Sequence, residues 1–425
     1  MTVRNRNIQV LLFIRILTNI ADSLYIIATI WYIKEMYQSP MWIGVAGFVT
    51  TLPHVLQIFF GPLIDYFPKK KILLYSEGIQ AVIFLIVTVL YYTDSLHVVV
   101  LLLLVFIAEM FSLISYPTEE VLVPGLVPEK DLIRVNSVFT FTYNSLDLIG
   151  NALSGILIAL VGTGVIFFSN SIVFTFTFFF IWIFLKLPQA LDKGREMKKD
   201  ESILPAYKRD LREGILYLWN RQTLRKVLLS FTIVNLMISM ALSLIPIFEN
   251  SVGRYGLWMT AISVGVVTGS LLVNFIEKIN LRKILISVSF VTGFSWLISI
   301  YFLEKSFILT LLFFGVAWAM IGITEILMET MVQVNVDMEY MGRSNTVIGT
   351  MLGIFAPLGH LFGGTFATIF SPILLFSVGG ITYLCLSAYF LVNPDFRRLG
   401  SVDEPFEEVK NPFKDEDDEE AISIN

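Results

Sequence analysis

The chain has 425 residues, 56% hydrophobic and only 15% charged, with a net charge of −5 and a mean hydropathy of +0.74. A soluble domain carries about 25% charged residues, and a single core stops growing beyond roughly 250–300 residues. The numbers therefore exclude a water-soluble globular enzyme and make a lipid bilayer the better solvent. The single cysteine, Cys385, excludes an internal disulfide framework, and its apolar setting reads as a packed side chain.

A membrane-crossing helix needs about 20 apolar residues. Runs of that kind stand at 9–33, 41–63, 72–92, 96–117, 133–160, 163–186, 226–248, 255–277, 283–302, 306–328, 346–369 and 372–393, six on each side of one long polar stretch. They are continuous rather than alternating, which points to helices and away from a barrel. The first run lacks a small-residue cleavage site and is followed by eleven more, so no cleaved leader is expected.

Ionisable residues inside such runs are costly and are functional candidates. Helix one carries Arg15 and Asp22, seven residues or about two turns apart, hence on a similar face and candidates for an ion pair. "GPLIDYFPKKKIL" (61–73) follows helix two and sets a lone acid, Asp65, beside Lys69, Lys70 and Lys71. Helix four carries Glu109, with Glu119 and Glu120 expected beyond it in the cytoplasm. Asp147 stands near the middle of helix five between Asn144 and Asn151. The central loop, 186–226, ends in "YKRDLREGILYLWNRQTLRK", where Leu211, Ile215, Leu218 and Trp219 alternate with cations. That pattern fits a helix at the inner membrane surface or a solvated linker helix. Glu249 ends helix seven, as part of a gate or an exposed rim. Glu325 and Glu329, four apart near the inner end of helix ten, share a face. Helix eleven packs Gly353, Pro357, Gly359, Gly363 and Gly364 into a short stretch, a helix-packing hinge on which two halves can rock. His360, in the same stretch, reads as a simply hydrogen-bonded residue. The tail, 394–425, has a net charge of −7 and is expected to be disordered.

A carboxylate in a low-dielectric cavity favours its protonated form and attracts cations. Asp22, Glu109, Asp147 and Glu325 are therefore the candidates for proton coupling or cation recognition. Tyr25, Trp31, Phe111, Tyr116, Phe231 and Trp318, with Asn144, Asn151 and Asn235, are candidates for lining a substrate cavity. No phosphate-binding glycine loop is present, and His54, His97 and His360 stand far apart without a metal-ligand pattern. No cofactor, metal, nucleic-acid partner or enzymatic chemistry is expected.

Twelve helices from a cytoplasmic N-terminus put 26 of the 30 Lys and Arg residues inside, three outside (Lys34, Arg254, Lys305) and Arg15 within a span. This is the asymmetry of the positive-inside rule, and it places both chain ends in the cytoplasm. The halves repeat weakly. Shifted by 212 residues, "PKKKIL" (68–73) meets "NLRKIL" (280–285), and Asp65 meets Glu277. Shifted by 209, "RVNS" (134–137) meets "RSNT" (343–346), and Gly150 and Gly155 meet Gly359 and Gly364. Two six-helix halves with a repeat are the mark of a transporter.

Gly61 to Lys70 resembles the loop between helices two and three of the major facilitator superfamily, with Tyr66 in place of the usual arginine and Pro68 in place of the usual glycine. "IADSLYIIATIWYI", "LVPEKDLIRVNS", "EGILYLWN" and "MGRSNTVIG" are similar to the drug:proton antiporter branch that includes macrolide efflux proteins and enterobactin exporters. The resemblance implies an all-α polytopic protein with two pseudo-symmetric six-helix bundles, 1–186 and 226–393, around a cavity that opens alternately to each side. A linker, 187–225, would join them. Gly61, Asp65, Lys69, Lys70, Glu277 and Arg343 would form its conformational latch, although the lysines are also explained by topology alone. Ala108, followed by Glu109, stands where many drug antiporters have a coupling arginine, so coupling through that group is not implied. The expected function is export of a hydrophobic or amphipathic small molecule in exchange for protons, by a monomer in a bacterial cytoplasmic membrane. The alternatives are export of a siderophore or other endogenous metabolite, and a non-transporting sensor or assembly factor on this scaffold.

Overall fold

A chain surrounded by hydrocarbon must satisfy its backbone groups internally, and helices do so within each segment. The computed structural model describes residues 5–56, 64, 67–192, 212–213, 215–275, 279–336 and 341–400. Its long helices are α1 Arg6–Tyr37, α2 Pro40–Leu56, α3 Lys69–Tyr92, α4 Val98–Leu126, α5 Glu129–Val161, α6 Thr163–Phe184, α7 Gln222–Leu242, α8 Val252–Leu272, α9 Leu281–Phe302, α10 Phe307–Asn335, α11 Met341–Gly353, α12 Ala356–Phe366 and α13 Pro372–Val392. Among the described residues there is no strand, and ten helical segments are long and apolar enough to cross a bilayer, α11 and α12 counting together as one. The shorter α2 is apolar as well, and α5 runs for 33 residues over the fifth apolar stretch. The protein is an all-α polytopic membrane protein.

Large apolar side chains such as Leu160, Trp182, Phe275 and Ile308 stand exposed along these helices. Hydrocarbon, unlike water, solvates such a surface at no cost. Cys385 is exposed on α13 rather than packed; apolar neighbours in sequence do not imply burial when the outer face of a helix is itself apolar.

Two compact units form. The first comprises Met1–Glu201, Leu236–Val264 and Ala356–Val378; the second comprises Ser202–Asn235, Gly265–Phe355 and Gly379–Asn425. In the first, Ile8, Leu11, Ile14, Leu73, Leu122 and Ile181 join α1, α3, α4 and α6 in one apolar core. In the second, Trp296 on α9 meets Phe314 on α10 edge to face, with ring centroids 5.0 Å apart.

The internal repeat reappears as a repeated use of cations. In the first unit Lys70 Nζ donates to the carbonyls of Trp182 (3.1 Å) and Leu185 (2.6 Å), at the end of α6. In the second unit Arg282 donates to the carbonyls of Phe390 (3.2 Å) and Leu391 (2.6 Å), at the end of α13. The two residues correspond under the 212-residue shift. Each places positive charge on a helix C-terminus, where the dipole and the unpaired carbonyls favour it. Lys70→Met is expected to lower stability by about 1–2 kcal/mol, with Arg282→Met alike, read as a fall in the unfolding midpoint in detergent.

The eleventh span is broken, and its sequence says where. Pro357 has no N–H, and its ring clashes with the carbonyl four residues back, that of Gly353. The helix stops at Gly353 and resumes at Ala356. The glycines after the break serve close approach. A Cβ on Gly44 of α2 would stand 2.7 Å from the Gly364 Cα, and one on Gly256 of α8 would stand 2.7 Å from the Gly155 Cα of α5. Gly155 and Gly364 correspond under the 209-residue shift, and each supplies one glycine of a seam within the first unit. A Cβ on Gly353 would meet nothing within 4 Å, so this glycine makes no such close approach.

Candidate functional site

The charges of α1 meet those of α3 and α4 inside the first unit. Arg15 does not pair with Asp22. It pairs with Glu119 on α4, its Nε donating to Oε2 at 2.9 Å and its Nη2 lying 2.8 Å from the same oxygen. The guanidinium also stacks 3.2 Å from the Tyr116 ring centroid and donates to the Tyr116 carbonyl at 3.4 Å. Both partners of the pair are buried, at 5% and 2% exposure. Glu119 is thus not in solvent: α4 continues through Pro117 and Pro124 to Leu126, well past the end of the apolar run. Glu120, its neighbour, is exposed.

About two turns along the same helices, Asp22 accepts from Ser112 Oγ at 2.7 Å. Tyr25 is fully buried, packed on Phe84 at 4.5 Å, with its hydroxyl among the carboxyls of Asp22 and Glu109. Glu109 is 4% exposed, and its Oε1 has no hydrogen-bond partner among the described residues. A further acid completes the cluster: Glu77 of α3, 2% exposed, accepts from Thr177 of α6 at 2.6 Å. Arg15, Asn19, Asp22, Glu77, Ser112 and Glu119 line a small cavity at its centre. Arg15 is the only cation that the described residues bring here. Sequence reading passed over Glu77, although an acid inside an apolar run is the same signal that singled out Asp22.

The other candidates divide by location. In the second unit Phe231, Asn235 and Glu325 line a cavity of about 410 Å³ together with Glu329 and Tyr383. Trp318 does not line it; the side chain is buried against Phe314. Trp31 is buried in the first unit, where it donates to Glu35 at 2.6 Å and stacks on Tyr255 at 6.1 Å. Phe111 is half-buried on α4, and Tyr116 serves Arg15. Lys69 is buried beside Phe67. Glu249 is neither free nor on a rim. It is 1% exposed, accepts from Trp258 Nε1 at 2.7 Å and pairs with Arg254 at 2.6 Å, while Lys34 donates to its carbonyl at 2.8 Å. His360 is packed against Gly47, and its Nδ1 has no hydrogen-bond partner among the described residues, so the expected simple hydrogen bond is not made at that atom. Gly61, Asp65 and Glu277, the side chains of Asn144, Asp147, Asn151 and Arg343, and the tail beyond Gly400 lie outside the described residues. In the central loop, Leu218 is buried while Ile215 and Trp219 are exposed, and Arg225 lies 4.9 Å over the Trp219 ring.

A profile of the family described as transmembrane secretion effector matches residues 2–416. Macrolide efflux protein A of Streptococcus pyogenes is 21% identical over 394 residues, 89% of this chain and 94% of that protein. The staphyloferrin A transporter of Staphylococcus aureus is 23% identical over 376 residues, 85% of this chain and 89% of that protein. A bacterial homologue of the iron transporter ferroportin, in an inward-facing state, superposes with a TM-score of 0.69 at 15% identity, over 92% of this chain and 98% of that one. A POT family transporter in complex with 5-aminolevulinic acid superposes with a TM-score of 0.69 at 12% identity, over 91% and 96%. At these identities the structural likeness is one of fold.

Proposed function

We propose a function on one premise: the chain belongs to the transmembrane secretion effector family of the major facilitator superfamily. It is a multi-pass membrane transporter with bacterial efflux proteins among its relatives. On that premise it exports hydrophobic or amphipathic small molecules by alternating access, in exchange for protons. It works as a monomer in a bacterial cytoplasmic membrane with both chain ends inside. Its moving halves are 1–186 and 226–393, linked by 187–225.

The observation that carries the coupling is the buried cluster on α1, α3 and α4. Ionised carboxylates are costly in a low-dielectric interior unless balanced. Glu77 lies within electrostatic reach of Arg15 and Asp22, and Glu109 within reach of Asp22, while Arg15, the one cation the described residues bring there, is already engaged by Glu119. Charge balance there calls for bound protons or a bound cation, and either changes with the state of the transporter. Uptake of a hydrophobic drug into inverted vesicles, with and without an imposed pH gradient, tests this reading. Accumulation that needs the gradient and collapses with a protonophore supports it; accumulation indifferent to the gradient removes the proton from the account.

The relative named a staphyloferrin A transporter supports a second reading, export of a siderophore or another endogenous metabolite. Cargo competition in the same vesicles separates the two, and a chain that moves neither is a sensor or assembly factor. Asp65, the one acid in the loop before α3, is not required by topology. Asp65→Asn is expected to leave folding and membrane insertion intact while lowering flux, and normal flux in that variant reduces the loop to a topological marker.

A further inference from the structure

We propose that the cavity of the second unit binds a monocationic amphiphile with Glu325 as its counter-charge. The proposal names the substrate class of the transporter and rests on that reading. The cavity holds about 410 Å³, inside the range of roughly 300–1,000 Å³ typical of small-molecule sites. Its walls are mostly apolar, with Phe231, Met328 and Leu352 among them. The flexible thioether of Met328 suits a cargo of variable shape.

Charge decides what kind of cargo fits. Glu325 and Glu329 both line the cavity, and among the described residues no Lys or Arg does. Glu329 accepts from Gln333 at 3.3 Å. Glu325 makes no hydrogen bond or ion pair to another described residue. A carboxylate at an apolar wall without a cation is an unbalanced charge. A neutral cargo would leave a proton as its only balance, and an anionic chelator would add a like charge with no described lining cation to offset it. A cargo with one positive charge balances it directly.

The aromatic side chains point the same way. Tyr383 is 2% exposed, lines the cavity and lies within electrostatic reach of Glu325. Phe231 lines the cavity too and is braced by Phe390, with ring centroids 6.2 Å apart. Ring faces attract cations most strongly when water is excluded. Asn235 is committed to the wall itself, donating to the Leu352 carbonyl at 3.1 Å. Carboxylate, rings and apolar wall are together the recognition chemistry of a lipophilic cation.

Two probes of the same size and opposite charge test the proposal on the full-length protein in detergent: tetraphenylphosphonium and tetraphenylborate, each by equilibrium dialysis. The phosphonium is expected to bind and the borate not. Glu325→Gln is expected to weaken phosphonium binding by at least about tenfold, ~1.4 kcal/mol, while Glu325→Asp, which keeps the charge, restores most of it. Unfolding midpoints of the two variants confirm that both are folded. Equal binding of the two ions, no phosphonium binding by the unaltered protein, or undiminished binding by Glu325→Gln overturns the proposal. Because dialysis needs no gradient, a protein that still moves other cargo in vesicles keeps the transporter reading while losing this one.

Discussion

Arg15→Met is expected to lower the stability of the protein by about 3–5 kcal/mol, read as a large fall in its unfolding midpoint in detergent. The guanidinium is the partner of Glu119, and both groups are buried. Removing one partner strands the other as an uncompensated charge, which costs far more than the net worth of the pair. Arg15→Met combined with Glu119→Leu is expected to recover part of the loss, because Glu119 is then no longer stranded without its partner. The double variant also separates packing from function. Recovered stability with transport still absent assigns the pair a part in the transport cycle; recovered stability with normal flux reduces it to a structural strut. An unchanged midpoint in Arg15→Met alone contradicts the pairing.

Glu109→Gln is expected to cut efflux driven by a pH gradient by at least about tenfold, a coupling loss of ~1.4 kcal/mol. Exchange of substrate for substrate at equal pH on both sides is expected to stay near that of the unaltered protein. Glutamine keeps the shape of the side chain and one acceptor oxygen, and removes its charge and its ability to gain and lose a proton. Asp22→Asn is expected to behave alike, since both carboxyls lie within electrostatic reach of the Tyr25 hydroxyl. If Glu109 serves only packing, gradient-driven efflux and exchange fall together; if it serves neither, both persist.

The helices were legible because hydrocarbon tolerates only continuous apolar runs, and among the described residues each expected run overlaps a helix. The break in the eleventh span was legible at Pro357. The pairing of Arg15 was not. Residues seven apart on one helix share a face but stand about 10.5 Å apart along its axis, and that distance left Arg15 to a partner on another helix. Glu119 was misplaced for a related reason. The apolar run of helix four ends near residue 117, but α4 itself runs to Leu126, and polar residues inside a bundle look in sequence like residues in water. The aromatic residues were ambiguous in the same way. Tyr25, Trp31 and Trp318 are packed in their units, whereas Phe231 lines a cavity, and one sequence cannot show which way a ring turns. Lys70 needed both explanations: the charge obeys topology, and the atom caps α6.

The proposed cycle moves protons through the chain in exchange for cargo. Proteoliposomes holding a pH-sensitive dye test it most directly: cargo is added on one side at equal starting pH, and the lumen is followed. The account predicts a lumenal pH change that accompanies cargo movement in the unaltered protein, is absent in Glu109→Gln, and runs opposite to the cargo. Cargo movement with no pH change, or the same pH change in Glu109→Gln, would contradict it.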